Sequence, residues 1–220
     1  TGRKFHETRP DKKFFTAAWV KNINGTYETG NLPISLNGSA IYRGMVFVGH
    51  NSGWMQAYDL DNGNLVWQEN DRAQYHSSPI IYDERLYYGT SHGRVISRDS
   101  LTGKKIFEID LGAPVESKGI VSQGRLFFHL RNHQIFCLDA ITGKVLWNYK
   151  RSISQITTLQ KVAAPTVVKN QVYVGFADGY LVSLSLEDGQ VRWEKKITTK
   201  KKFRDLDSLT YFDGKNLIVT

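Results

Sequence analysis

Five of the six histidines, His50, His76, His92, His129 and His133, are the side chains of this chain best suited to ligate a metal or move a proton. Their spacing argues against both. They fall at corresponding loop positions of successive repeats, without the short separations of a zinc site, and read as solvated loop histidines. The single cysteine, Cys137, lies in the apolar "HQIFCLDA" and reads as a buried structural thiol with nothing beside it to depress its pKa. The basic run "KKITTKKKFR", residues 195–204, carries enough charge for nucleic acid or anionic lipid. Only Phe203 interleaves it, however, and it runs into Asp205 and Asp207. It reads better as a solvated basic loop, including Lys202 and Arg204, that steers toward an acidic protein surface. Neither a Ser-His-Asp order nor a paired-carboxylate pocket nor a phosphate loop stands out.

Those residues hang on a repeated phrase. "HNSGWMQAYDLDNGNLVW" (50–67), "TSHGRVISRDSLTGKKIF" (90–107), "LRNHQIFCLDAITGKVLW" (130–147) and "FADGYLVSLSLEDGQVRW" (176–193) share one punctuation. Turn glycines Gly63, Gly103, Gly143 and Gly189 are 40, 40 and 46 positions apart. Asp59, Asp99, Asp139 and Ser185 stand four residues before them, and Trp67, Phe107, Trp147 and Trp193 four residues after. Gly49 pairs with Gly53, Gly89 with Gly93 and Gly175 with Gly179, with Leu130 and His133 as the substitutes in the third copy; histidine tolerates the left-handed region better than most residues.

Each phrase reads as strands: short runs rich in Val, Tyr, Leu and Trp, bounded by Gly and Asp, without a helical stripe. The Asp before each bend accepts backbone N–H groups, and the glycine takes positive φ. With the preceding runs "SSPIIY", "SKGIVS" and "AAPTVV", the unit becomes four antiparallel strands in roughly 40 residues, one blade of a β-propeller. Inner strands covered on both faces are then apolar on both, and the recurrent Trp, Trp193 included, wedges between consecutive blades.

The 220 residues are 40% hydrophobic and 23% charged, an ordinary composition for a folded domain, with 29 Lys and Arg against 21 Asp and Glu for a net charge of +8. No apolar run approaches a membrane span.

"LDAITGKVLW", "YDLDNGNLVW" and "SLEDGQVRW" resemble the quinoprotein-type (PQQ-like) propeller repeat over residues 34–193. That repeat occurs in dehydrogenases, sensor ectodomains and non-enzymatic scaffolds alike. Blade order and loop lengths, with "LQKVAAPTVV" (159–168) and "KFRDLDSLTYF" (202–212), resemble more narrowly the BamB family of outer-membrane β-barrel assembly lipoproteins. The resemblance implies a BamA-contacting surface at Leu159, Gln160, Lys202, Arg204, Asp205 and Asp207, with Gln160 in the place of a family arginine and Thr157 in that of a leucine. Loop lengths find the same rim: closing aromatic to next hairpin turn is 17 residues for 67–84 and 107–124, but 23 for 147–170 and 21 for 193–214.

The expectation is therefore an all-β propeller of PQQ-like four-stranded blades, four of them complete and partial ones at each end. Residues 1–33 form an N-terminal segment with a closing strand at 14–20, 34–206 the four blades, and 207–220 the start of a fifth. Residues 14–20 either complete the last blade of a five-bladed ring or, as the resemblance favours, belong to an eight-bladed propeller of which this chain is the first part; open blade edges would then favour homo-oligomers. The resemblance implies a non-catalytic periplasmic scaffold without cofactor or metal, held at the outer membrane by an upstream lipid anchor. It would bind BamA periplasmic domains and nascent outer-membrane proteins, not nucleic acid. The competing readings are a ligand-sensing ectodomain and a quinoprotein-type oxidoreductase fragment, the latter short of the usual cysteine pair.

Overall fold

The computed structural model describes residues 17–21, 38–50, 52–75, 77–153, 162–197 and 210–218. Among them there is no helix; eighteen strands form four four-stranded antiparallel sheets and one two-stranded hairpin. The first blade is β1 (Ala40–Tyr42), β2 (Met45–Gly49), β3 (Trp54–Asp59) and β4 (Leu65–Asn70). The second is β5 (Ile80–Tyr82), β6 (Arg85–Gly89), β7 (Arg94–Asp99) and β8 (Lys105–Asp110). The third is β9 (Ile120–Ser122), β10 (Arg125–His129), β11 (Gln134–Asp139) and β12 (Val145–Lys150). The fourth is β13 (Thr166–Val168), β14 (Gln171–Gly175), β15 (Tyr180–Ser185) and β16 (Val191–Lys196), and the hairpin is β17 (Tyr211–Phe212) with β18 (Leu217–Ile218). Strands pair in chain order within each blade, and the short inner strands β1, β5, β9 and β13 touch in succession.

The repeat's punctuation does its mechanical work at the β3–β4 type of turn. Asp99 Oδ1 accepts the Leu101 and Thr102 amides at 3.1 and 2.7 Å, and Asp139 accepts those of Ile141 and Thr142 at 3.0 and 2.7 Å. The Thr102 hydroxyl, which donates to Asp99 at 2.7 Å, and then the amides hold the Asp99 carboxyl below the usual carboxylate range; for Asp139 the Thr142 amide leads and the Thr142 hydroxyl, at 2.8 Å, adds to it. The glycine of each turn faces the closing aromatic of the blade before it. A Cβ on Gly103, at φ +72°, would stand 2.7 Å from the Trp67 ring, and one on Gly189, at φ +71°, 2.5 Å from that of Trp147. Trp67 and Trp147 also donate Nε1–H to the Ser100 and Leu186 carbonyls at 2.9 and 3.0 Å, so the first and third blades are keyed to the next by a stack and a hydrogen bond. Phe107 supplies only the stack on Gly143, and the Ala140 carbonyl accepts from the Tyr87 hydroxyl at 2.8 Å instead. Trp19 repeats the arrangement on the first blade, against Gly63 and the Leu60 carbonyl at 2.7 Å.

Two expectations are corrected, and a third meets no counterpart: Trp193 is 38% exposed and lies 5.8 Å from the Tyr173 ring of its own sheet, the described residues holding no turn of a following blade for it to wedge against. The third blade replaces the strand-end glycine with His129 rather than Leu130, since β10 pairs in the same register as β2, β6 and β14; Leu130 is a buried core residue one place on. His133 takes φ +62°, as its glycine counterparts do. Nor are all the histidines solvated. His129 is 2% and His50 9% exposed; His92 is exposed, His133 half-buried, and His76 lies outside the described residues. Cys137 is buried and free, and burial pushes its thiol up to about 12.

Candidate functional site

Hairpins of the β2–β3 type and the connections between blades share one rim. Repeated backbone bonds bind them there: Asp71 N–H to the Gly53 carbonyl (2.9 Å), Leu111 to Gly93 (2.9 Å), Arg151 to His133 (3.2 Å) and Ile197 to Gly179 (2.8 Å). All six predicted partner residues, Leu159, Gln160, Lys202, Arg204, Asp205 and Asp207, lie outside the described residues, as does Thr157. The blades do describe the feet of the two long connections that carry them.

The first connection joins β12, which ends at Lys150, to β13, which starts at Thr166, and its described ends are 151–153 and 162–165. Before it, Arg151 is clamped: Nε donates to Asp178 Oδ2 and Nη1 to Glu194 Oε2, both at 2.7 Å, while the guanidinium lies 4.4 Å from the centre of the Tyr180 ring. After it, His129 Nδ1 donates to the Ala163 carbonyl at 2.9 Å, and the ring stands edge-on to Phe176 at 5.1 Å. Burial drives the His129 pKa down to about 3, so the imidazole is neutral; its Nε2 makes no hydrogen bond. At this strand-end position a Cβ on Gly89 would collide with Val115 of the following connection at 2.2 Å, and one on Gly49 would crowd Tyr75 at 3.1 Å. The second connection joins β16, which ends at Lys196, to β17, which starts at Tyr211; at its far end the Thr210 carbonyl accepts from Thr166 Oγ1 at 2.6 Å. Sequence reading passed over Arg151 and Asp178 and took His129 for a solvated loop histidine. The signal was there, because each departs from its counterparts in the other repeats.

Among the described residues no three His, Cys, Asp or Glu side chains are grouped to hold a metal ion.

The model of the family described as outer membrane protein assembly factor BamB matches residues 33–114 and 51–220, which together span most of the chain. The chain belongs to the BamB family. Curated relatives of that name include one from Alkalilimnicola ehrlichii, 39% identical over 54 residues (24% of this chain, 14% of the relative), and one from Taylorella asinigenitalis, 35% identical over 72 residues (33% and 18%). Among solved structures, BamB from Moraxella catarrhalis superposes with a TM-score of 0.74 at 21% identity, covering 83% of this chain and 57% of that one. A quinohemoprotein alcohol dehydrogenase from Pseudomonas putida superposes at 0.61 with 13% identity over 73% of this chain and 34% of its own. At such identities these superpositions establish the propeller fold alone, and this chain spans less than two thirds of each relative's length.

Proposed function

We propose that this chain is a non-catalytic scaffold of outer membrane protein assembly, working in the periplasm and docking on the periplasmic domains of BamA. The observation that carries the reading is the BamB family match across residues 33–220. The two long connections on one rim supply the docking surface in this reading: Leu159 is the apolar contact, Gln160 a polar neighbour, and Asp205 with Asp207 the acidic pair. Lys202 and Arg204 steer the approach, as exposed charges do. The Arg151 clamp and the His129 bond to Ala163 make the feet of the first connection rigid, which lowers the ordering cost of binding. A lipid anchor at the outer membrane and the handling of nascent outer-membrane proteins belong to the same proposal. An oxidoreductase reading has only the shared fold behind it.

The test is Asp205→Lys with Asp207→Lys, measured by calorimetric titration with BamA periplasmic domains of the same organism and by thermal unfolding. A roughly 30-fold or greater loss of affinity is expected at an unchanged melting temperature. Full affinity in the folded variant would remove the pair from the interface.

A further inference from the structure

The seam between the first and second blades opens to solvent as two adjoining clefts, of about 590 Å³ and about 410 Å³, which share Asn70 and Arg72. The smaller is strongly cationic, adding Arg94, Arg98, Lys104 and Lys105 to Arg72, with Glu69 and Asp71 as its acidic lining. Its cations differ in what they already hold. Arg98 is committed to Asp71 at 2.5 Å, and Arg94 and Lys105 share Glu108 at 2.5 and 2.6 Å. Among the described residues no ion pair engages Arg72 or Lys104, and both are exposed.

Arg72 is also conformationally misplaced. It adopts φ +53°, its amide held at 2.8 Å by Asn70 Oδ1. The next connection makes the same turn with Asp110 Oδ1 accepting the Gly112 amide at 2.8 Å, and Gly112 takes φ +77°. A glycine meets that backbone demand without strain; an arginine does not. Among the described residues the Arg72 guanidinium makes no hydrogen bond or ion pair that the fold requires. The second seam is an internal control, with Gly112, Gln134, Leu138 and Val145 where the first has Arg72, Arg94, Arg98 and Lys105; only Lys104 has a cationic counterpart, Lys144.

We propose that the seam between the first and second blades is a binding site for an acidic, extended peptide segment, whose carboxylates pair with Arg72 and Lys104. The larger cleft carries its backbone, because Ser52, Asn70, Gln74 and Ser91 offer neutral donors and acceptors of the kind that read peptide amides. A phosphate needs donors converging on one point, whereas Lys104 lines only the smaller cleft and Arg72 lines both, so a ligand pairing with the two reaches from one cleft into the other. The site belongs to a different seam from the connections assigned to BamA and does not depend on that assignment.

The test is fluorescence anisotropy of a labelled peptide of alternating Glu and Ser against the full chain, with a Gln-for-Glu peptide as control. Arg72→Gly with Lys104→Gln should weaken binding at least about tenfold, and the Gln peptide should bind the unmodified chain at least as poorly. Arg72→Gly alone restores the glycine of the next repeat, so its melting temperature should hold or rise while affinity falls. Lys144→Gln, at the matching place in the second seam, should leave binding unchanged. Unaltered binding by the double variant, an equal loss in Lys144→Gln, or displacement of the peptide by inorganic phosphate or oligodeoxythymidylate at equal concentration would each overturn the proposal.

Discussion

The first and second seams have the same backbone and opposite interiors. Where the second packs Leu111, Val115, Phe128 and Leu138 into one apolar cluster, the first sets Asp71, Tyr75, Tyr88 and Arg98 at the matching positions. Asp71 Oδ2 accepts from the Tyr75 and Tyr88 hydroxyls at 2.8 and 2.7 Å, and Oδ1 from Arg98 Nη2 at 2.5 Å. Arg98 also donates Nε–H to the Tyr88 hydroxyl and Nη1–H to the Gly103 carbonyl, each at 2.7 Å. Every member has a partner, which is what a buried polar network requires. The contrast teaches that blade stacking is held by the aromatic-on-glycine keys common to both seams, while the interior of a seam is free to vary in chemistry. Mispairing of these two blades would leave a charge buried alone, at a cost of several kcal/mol.

The largest expected effect breaks the network on one side. Asp71→Leu, which copies Leu111, should destabilise by about 3 to 5 kcal/mol in urea unfolding, because Arg98 is left buried with only the half-exposed Glu69 carboxylate, 3.4 Å away, as counter-charge. Copying the whole second seam, Asp71→Leu with Tyr75→Val, Tyr88→Phe and Arg98→Leu, should return stability to within about 1 kcal/mol of the parent or exceed it. If the fourfold variant is as unstable as the single one, the two interiors are not interchangeable.

The key itself should be indifferent to that chemistry. Gly103→Ala sits under Trp67 in the first seam and Gly143→Ala under Phe107 in the second, both at positive φ and both with a Cβ 2.7 Å from the ring. Each should cost about 2 to 4 kcal/mol by chemical denaturation, the sum of left-handed strain and a displaced aromatic. Losses that differ by more than about 1 kcal/mol between the seams would show that interior chemistry reaches the key.

The smallest effect is alkaline. Burial, and then the Asp71 carboxylate, push the Tyr75 and Tyr88 hydroxyls well above the ordinary tyrosine value. The folded state therefore holds protons that the unfolded chain releases, so this stability is complete below about pH 10 and is lost as pH rises further. Melting temperature should fall more steeply between about pH 10 and 11.5 in the parent than in the fourfold variant. Parallel curves would show that these hydroxyls contribute nothing to the seam's pH response.

What the sequence determined by itself was everything that repeats. Strand order, the Asp-capped turns and the aromatic closing each phrase were legible because they are local: a glycine at positive φ and an aspartate accepting amides within three residues need no distant partner. The rim with the longer connections was legible too, as a count of residues between punctuation marks. The tertiary structure decided what depends on the neighbouring blade. His129 looked like a loop histidine, yet it fills the place of a glycine and grips Ala163, 34 residues on. Trp193 matched Trp67 and Trp147 letter for letter but is exposed, because burial comes from the next blade's turn and not from the strand that carries it. Asp71 and Arg98 are 27 positions apart in unremarkable strings. Only stacking of the first blade on the second, which leaves both side chains almost fully buried, turns those two charges into a pair.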